Sequence, residues 1–329
     1  MGIPWDSKYG GNNMDTLSLV IAIEEIGKVC ASTAATMMAH TSLGTAPIVA
    51  FGTEEQKEKY IPSLATGNMI GAFGLTEPNA GSDAGNTQTT AVVDGKNFII
   101  NGQKVFCTNA GVAGIIIFTA RLIHNNKDEG IGAFIVEANT PGLTLGKPEK
   151  KMGWRGSDTR SIFFENMIIP KKNILGTPSK GFKQFLKTLV GGRITIGALS
   201  LGTAQGAYQL ALNYSKERQA FGKRIHNFQA ISFKLSDMAT SIEAAKHLVY
   251  HAAWLKDNNK PVIKQAAMAK LFASEAAMKI CTEAIQIHGG YGYIKEYDVE
   301  RFFRDAKILE IGEGTSEIQR IIISRNILH

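Results

Sequence analysis

Four short stretches carry residue types that chemistry uses. The first, Leu75-Thr76-Glu77-Pro78-Asn79-Ala80-Gly81-Ser82-Asp83-Ala84-Gly85, is polar and glycine-rich. Its backbone amides and small hydroxyls suit the lining of a cofactor; a plain turn is the competing reading. The second, Glu217-Arg218-Gln219-Ala220-Phe221-Gly222-Lys223 with Gln229 after it, sets an arginine near an aromatic ring. That suits a phosphate or ring ligand, whereas a helix ending at Gly222 would need none. The third, Gln286-Ile287-His288-Gly289-Gly290-Tyr291-Gly292, has the glycines of a dinucleotide loop, but a helical pattern, not a strand, precedes them. His288 has no second His or Cys at ligand spacing, so no metal is expected, and a satisfied or partly exposed histidine is the reading. The fourth, Ile311-Gly312-Glu313-Gly314-Thr315-Ser316-Glu317-Ile318-Gln319-Arg320, flanks Glu313 with glycines. Backbone there can approach a ligand and the carboxylate is unshielded, unless it is an exposed turn glutamate. Thr315 or Ser316 can cap the helix that follows.

The elements that must position these stretches fall into three parts, 1–71, 72–179 and 180–329. Residues 1–70 read as helical. Asp15 can cap a run through Ile21, Ile23 and Ile26. Thr53 with Gln56 three residues on is a capping-box pattern ahead of 57–64, and Gly44 and Pro47 break the pattern between. From 72 to 176 the character changes. Asp94-Gly95 and Asn101-Gly102 are hairpin signals between apolar runs at 91–93, 98–100 and 105–107. Further β-rich runs lie at 114–119, 132–136 and 161–169, with no helical period between them. A small antiparallel β domain follows, a barrel or a sandwich. After 180 the helical period returns. Ile231, Leu235, Met238, Ile242, Ala245 and Val249 alternate by four and three, the seam of a packed bundle. Pro261 can begin the next helix and Gly289-Gly290 stops it.

Composition excludes several classes. The 329 residues make room for about two domains at roughly 150 each. Three cysteines, Cys30, Cys107 and Cys281, form neither a disulfide framework nor a CxxC pair. A reduced, intracellular setting is the default. No apolar run is long enough for a membrane span, and no signal peptide is read at the start. The charge of +7 is dispersed among acids, with no block of like charges. Nucleic-acid binding is therefore disfavoured, although a pull on anionic ligands such as nucleotide phosphates stays open.

The four stretches occur together, in this order, and resemble the acyl-CoA dehydrogenase family of flavoenzymes. The likeness runs from Gly2-Ile3-Pro4 and Tyr9-Gly10-Gly11 to the C-terminal helix. It implies a helical domain, a β domain and a four-helix bundle, an α+β multidomain protein assembled as a homotetramer of paired dimers. Against members of the family two N-terminal helices are missing, so a truncated helical domain is expected. The resemblance implies Glu313 as the catalytic base; the alternative base site, just before Arg193, holds Gly192. Phe73, Leu75, Thr76 and Ser82 match positions lining FAD or the acyl-CoA, and Phe106 and Thr108 match those beside the flavin ring. Arg218, Phe221 and Gln229, and Gln286, Gly289 and Gly290, match contacts to the FAD of the neighbouring subunit. Thr315 and Glu317 match adenine-side contacts. Arg193 matches the residue that holds the active-site loop, and Gly312 and Gly314 flank the acyl-CoA beside the base.

The implied activity is FAD-dependent α,β-dehydrogenation of an acyl-CoA, with electrons passed to an electron-transfer flavoprotein. Glu313 would take the α-proton and the β-hydrogen would leave as hydride. The backbone N–H of the base would bind the thioester oxygen. Many members carry Tyr where this chain has Gly312, and Phe106 stands where Trp is common. Gly312 widens the pocket near the thioester, which points to short or branched-short acyl chains. The expected compartment is the bacterial cytoplasm, or the mitochondrial matrix of a eukaryote. An acyl-CoA oxidase is the runner-up enzyme, disfavoured because its members are longer. A non-catalytic acyl-CoA or flavin-binding relative is the reading from another class, and the intact Glu313 argues against it.

Overall fold

The computed structural model describes residues 1–328. In chain order the main elements are α1 (Thr16–Gly27), α2 (Ala31–Met38), α3 (Ala46–Phe51), α4 (Glu54–Thr66), β1 (Gly71–Gly74), β2 (Thr90–Asp94), β3 (Asn97–Thr108), β4 (Ile115–His124), β5 (Lys127–Glu137), β6 (Leu143–Leu145), β7 (Thr159–Pro170) and α5 (Gly181–Glu217). They are followed by β8 (Gln219–Ala220), β9 (Lys223–Arg224), α6 (Gln229–Asp257), α7 (Ile263–His288), α8 (Val299–Ala306) and α9 (Ser316–Leu328). The chain forms two compact units. Unit one holds Met1–Asp15, Thr36–Lys150 and Ser157–Gly192; unit two holds Thr16–Ala35, Lys151–Gly156 and Arg193–His329.

Unit one is a seven-stranded sheet with helices on one face. The path runs β1-β4-β2-β3-β7-β6, with β5 on the other edge of β4. The sheet is mainly antiparallel, as expected, with one mixed edge: β1 and β2 both pair parallel to β4, occupying successive stretches of it. β4 alternates as a strand buried on both faces must. Ile115 and Ile117 pack with Trp5, Ile48, Tyr60, Ile61 and Leu64 on the helical side. Ile116 and Phe118 pack with Phe98, Ile100, Phe134 and Phe164 on the other. The Phe118 and Phe164 rings stack at 4.5 Å.

Local signals decide part of this. Thr53 and Gln56 form the capping box of α4, and Asp94 and Asn97 close the β2–β3 hairpin over Gly95. Asn101-Gly102 is not a turn. β3 runs through it with a bulge against β7, where Gly102 adopts φ +140° and Asn101 bonds Asn166 across the ladder. Asn-Gly supplies the φ > 0 that a bulge needs as readily as a turn does. Gly44 and Pro47 do not break the helix either. A π-helical stretch, Ala39–Thr45, joins α2 to α3, and Pro47 sits in the first turn of α3, where no N–H is required. Gly44 is there for contact: a Cβ on it would lie 2.7 Å from the Gly71 backbone.

Unit one also buries a charge pair. Lys104 Nζ donates to Glu77 Oε1 at 2.6 Å, to Thr119 Oγ1 at 3.2 Å and to the Leu75 carbonyl at 3.3 Å. The Gln88 and Thr89 amides donate to the same carboxylate. Burial alone would push Glu77 up, but Lys104 and these amides hold it below the usual carboxylate range. The pair pins the glycine-rich loop to β3.

Unit two is helical, built on α6 and α7 with α1, α8 and α9 packed against them. The Thr16 and Leu17 amides at the start of α1 donate to the Asp257 carboxylate at the end of α6, so a residue distant in sequence satisfies the turn that Asp15 precedes. Ile23 of the expected α1 stripe is buried, Ile21 is exposed and Ile26 is intermediate. On α6, Leu235, Met238, Ile242, Ala245 and Val249 are buried as the spacing predicts, while Ile231 is only half-buried in the first turn. Pro261 lies just outside α7, which starts at Ile263. Gly289, at φ +61°, ends that helix. Among the described residues, no helix is long and apolar enough to cross a membrane.

The Lys104–Glu77 pair generates a prediction. Lys104→Met leaves a buried carboxylate without its counter-charge, which costs about 3–5 kcal/mol. Urea unfolding should show that loss; a change below about 1 kcal/mol would mean that Glu77 is rehydrated instead.

Candidate active site

The Glu313 loop of unit two lies between a 3-10 turn, Lys307–Glu310, and α9. Glu313 adopts φ +54° and Gly314 φ +96°, so two consecutive residues are left-handed. For glutamate this conformation is strained, and such strain persists only where the surroundings over-determine it. Both carboxylate oxygens of Glu313 are buried with no hydrogen-bond partner among the described residues. Burial drives its pKa up to about 7, against the opposing pull of the Arg193 and Lys270 charges. Arg193, on α5, is buried and its Nε is also unpaired. Arg193, Gly312, Glu313 and Gly314 are the predicted residues gathered around this carboxylate. A Cβ on Gly312 would meet only the Ile308 carbonyl, at 3.4 Å, so the glycine leaves open the space a side chain would fill.

Helix α9 begins under this loop. Of the two expected caps, Thr315 is the one that acts: its Oγ1 accepts from the Ile318 amide at 3.3 Å. Ser316 is buried with an unpaired hydroxyl. Glu317 is exposed, and its own amide and the Thr315 hydroxyl hold its carboxyl low. Sequence reasoning gave no role to Lys270 or Gln319, which also meet the loop. Lys270 Nζ donates to the Gly314 carbonyl at 2.9 Å, and Gln319 Nε2 donates to it at 2.8 Å. The signal was available: Lys270 lies on the same stripe as Ala266, Ala273 and Ala277, where the period demands an apolar residue.

A groove of about 500 Å³ opens elsewhere in unit two, lined by Tyr214, Arg218, His288, Gly289, Gly290 and Tyr291 among others. The Arg218 guanidinium lies 5.5 Å from the Tyr291 ring centroid. His288 stacks on Tyr214 at 4.2 Å and its Nδ1 contacts the Ala284 carbonyl at 2.8 Å. That bond satisfies one ring nitrogen, and burial lowers the pKa of His288. A Cβ on Gly289 or Gly290 would meet nothing within 4 Å. The groove therefore presents a cation, aromatic faces and approachable backbone, the donor set that a nucleotide phosphate and ring require. Phe221, Gln229 and Gln286 do not line it. Phe221 and Gly222, at φ +50° and +78°, form the tip of the β8–β9 hairpin, and the Phe221 side chain is 95% exposed. The second stretch thus ends in a tight turn beyond α5, not in a helix finishing at Gly222.

In unit one, Phe73 lies in β1 and Leu75 and Thr76 follow it; the Thr76 carbonyl accepts from the Val105 amide at 2.9 Å, next to Phe106. Phe106 sits at a second bulge of β3 with φ +57° and is 67% exposed. A large aromatic held outward on strained backbone is a ligand-facing geometry. Thr108 is half-buried at the end of β3. Phe73 instead stacks on Phe185 at 4.2 Å, and Ser82 stands exposed on its loop.

Comparison with known proteins covers the whole molecule. The N-terminal, middle and C-terminal domains of acyl-CoA dehydrogenases match residues 1–68, 72–167 and 179–328. A probable acyl-CoA dehydrogenase of Bacillus subtilis is 56% identical over 330 residues, spanning 100% of this chain and 87% of its own length. The butyryl-CoA dehydrogenase of Megasphaera elsdenii superposes with a TM-score of 0.97 at 48% identity, covering 100% of this chain and 87% of that one. A chain from a structure of the electron transferring flavoprotein of Acidaminococcus fermentans gives a TM-score of 0.97 at 49% identity, with 100% and 86% covered.

The buried Glu313 carboxyl can be observed directly. Infrared spectra should contain a protonated carboxyl C=O band that is missing from Glu313→Gln and titrates with a midpoint near 7. A midpoint at the ordinary value of 4.5 would show a hydrated carboxylate.

Proposed function

The chain belongs to the acyl-CoA dehydrogenase family, and on that premise we propose that it oxidises a short or branched-short acyl-CoA to the trans-2-enoyl thioester, with Glu313 as the base. The observation that carries this reading is the buried Glu313 carboxylate, which no donor among the described residues satisfies. A carboxylate bonded by amides would be a weak base. Unpaired and raised to about 7, Glu313 is basic enough to take the α-proton and ionised often enough to do so. Its backbone N–H is the proposed donor to the thioester oxygen, stabilising the enolate character that develops as the proton leaves. Gly312 leaves room beside the reacting carbons, and the likeness to a butyryl-CoA dehydrogenase supports a short acyl chain.

FAD, when bound, supplies the acceptor for the hydride that leaves the β-carbon. Unit one contributes Phe106, Thr108, Thr76 and Leu75, with Phe73 supporting from the core and Ser82 reaching cofactor or substrate from its loop. In unit two, Arg218, Gly289 and Gly290 form the groove that receives the phosphates and adenosine of the neighbouring subunit's FAD, with Phe221, Gln229 and Gln286 beside it. Thr315 and Glu317 take the adenine side. The open groove and the exposed Phe221 leave surface for a neighbouring subunit to cover, which supports a homotetramer of paired dimers. The likeness to a chain from an electron transferring flavoprotein structure supports such a flavoprotein as the electron acceptor. The three free cysteines fit a reducing compartment, bacterial cytoplasm or mitochondrial matrix.

Anaerobic addition of butyryl-CoA or isovaleryl-CoA to the purified flavoprotein should bleach the visible flavin band. A yellow protein that neither thioester bleaches would refute the substrate class. Glu313→Gln should keep FAD while turnover falls by about 100- to 10,000-fold; near-normal rates would refute the base. In the wild type, kcat/KM should rise with pH through about 7, because the base acts deprotonated. Arg218→Ala should lose FAD on dialysis that leaves the wild type loaded; equal retention would remove Arg218 from the cofactor site.

A further inference from the structure

We propose that Lys270 is a positioning residue for the base: its ammonium clasps the Gly314 carbonyl and holds the Glu313 loop in its left-handed shape. This rests on the reading of Glu313 as the base. Lys270 is fully buried in α7. Among the described residues it makes no ion pair within 4.0 Å, yet its Nζ lies 2.9 Å from the Gly314 oxygen. Gln319, from α9, reaches the same oxygen at 2.8 Å and the Glu313 carbonyl at 3.3 Å. Two donors from two helices thus converge on one carbonyl, directly after the strained residue. They supply the over-determination that keeps Glu313 and Gly314 at φ +54° and +96°. Stability alone gives no reason for a cation here, since an apolar side chain on this alanine-rich stripe would avoid its desolvation.

The ammonium also acts at a distance. The charges that face it are Glu313 of the loop, Glu310 of the preceding turn, Glu275 of its own helix, Glu317 of α9 and Arg193 of α5. Burial pulls the Lys270 ammonium down to about 8, and the carboxylates, opposed by one guanidinium, work against that pull. The cation in turn favours the ionised form of Glu313. Removing it should therefore do two separable things. The loop loses a donor, and the base becomes harder to ionise.

The test uses the holoenzyme and two variants. Lys270→Met removes donor and charge; Lys270→Gln keeps a donor without the charge. In Lys270→Met, amide hydrogen exchange at residues 312–315 should quicken by about tenfold or more. The acid limb of kcat/KM should move to higher pH by about half a unit or more, with FAD content unchanged. In Lys270→Gln, exchange should return toward wild type while the acid limb stays shifted. Wild-type exchange and a wild-type acid limb in Lys270→Met would overturn the proposal. If that variant fails to fold or to hold FAD, Lys270→Gln decides: a shifted limb supports the role and an unshifted limb overturns it. Persistent turnover in Glu313→Gln would instead refute the base, and the exchange data would still report on the clasp.

Discussion

A carboxylate removed from water and given no donor costs several kcal/mol unless it takes up a proton or gains a counter-charge. The helical unit holds Glu313 in that condition, on a backbone conformation that glutamate rarely adopts. Much of the surrounding structure answers this constraint. Arg193 and Lys270 bring positive charge without donating to the carboxylate oxygens, so ionisation stays accessible near neutral pH. Lys270 and Gln319 bond the backbone beside Glu313, not its side chain. The loop is fixed by its backbone, while the Glu313 carboxylate has no donor among the described residues.

Unit one solves the same problem in the opposite way. Glu77 is buried too, but a lysine and two backbone amides converge on it and keep it ionised. Its role is to tie the glycine-rich loop to β3, beside the bulge that turns Phe106 outward. Two glutamates thus receive different work from their surroundings. The satisfied one is held ionised as part of the structure, and the unsatisfied one is the proposed base. An acid–base role is therefore read from missing partners as much as from the residue type.

Local chemistry was legible along the chain wherever a few neighbouring residues settle the outcome. The capping box at Thr53, the hairpin at Asp94-Gly95, the seam of α6 and the stop at Gly289 all depend on contacts within about one turn. Asn101-Gly102 was misread because the same dipeptide serves a turn and a bulge, and the choice belongs to β7, some sixty residues on. The π-helical stretch through Gly44 was hidden for a similar reason. Its glycine is selected by the approach of Gly71, not by a break in the helix.

By itself, the sequence determined the order of helical and β segments, the left-handed glycines and the identity of Glu313 as an unshielded carboxylate. These follow from periodicity, backbone sterics and residue type, which are properties of adjacent residues. Tertiary structure alone decided that β1 and β2 run parallel to β4, that Asp257 satisfies the first turn of α1, and that Lys270 and Gln319 meet at Gly314. It also decided that Glu313 is raised and Glu77 lowered. Burial and the placement of charge are sums over groups brought together from distant parts of the chain, and only packing performs that sum.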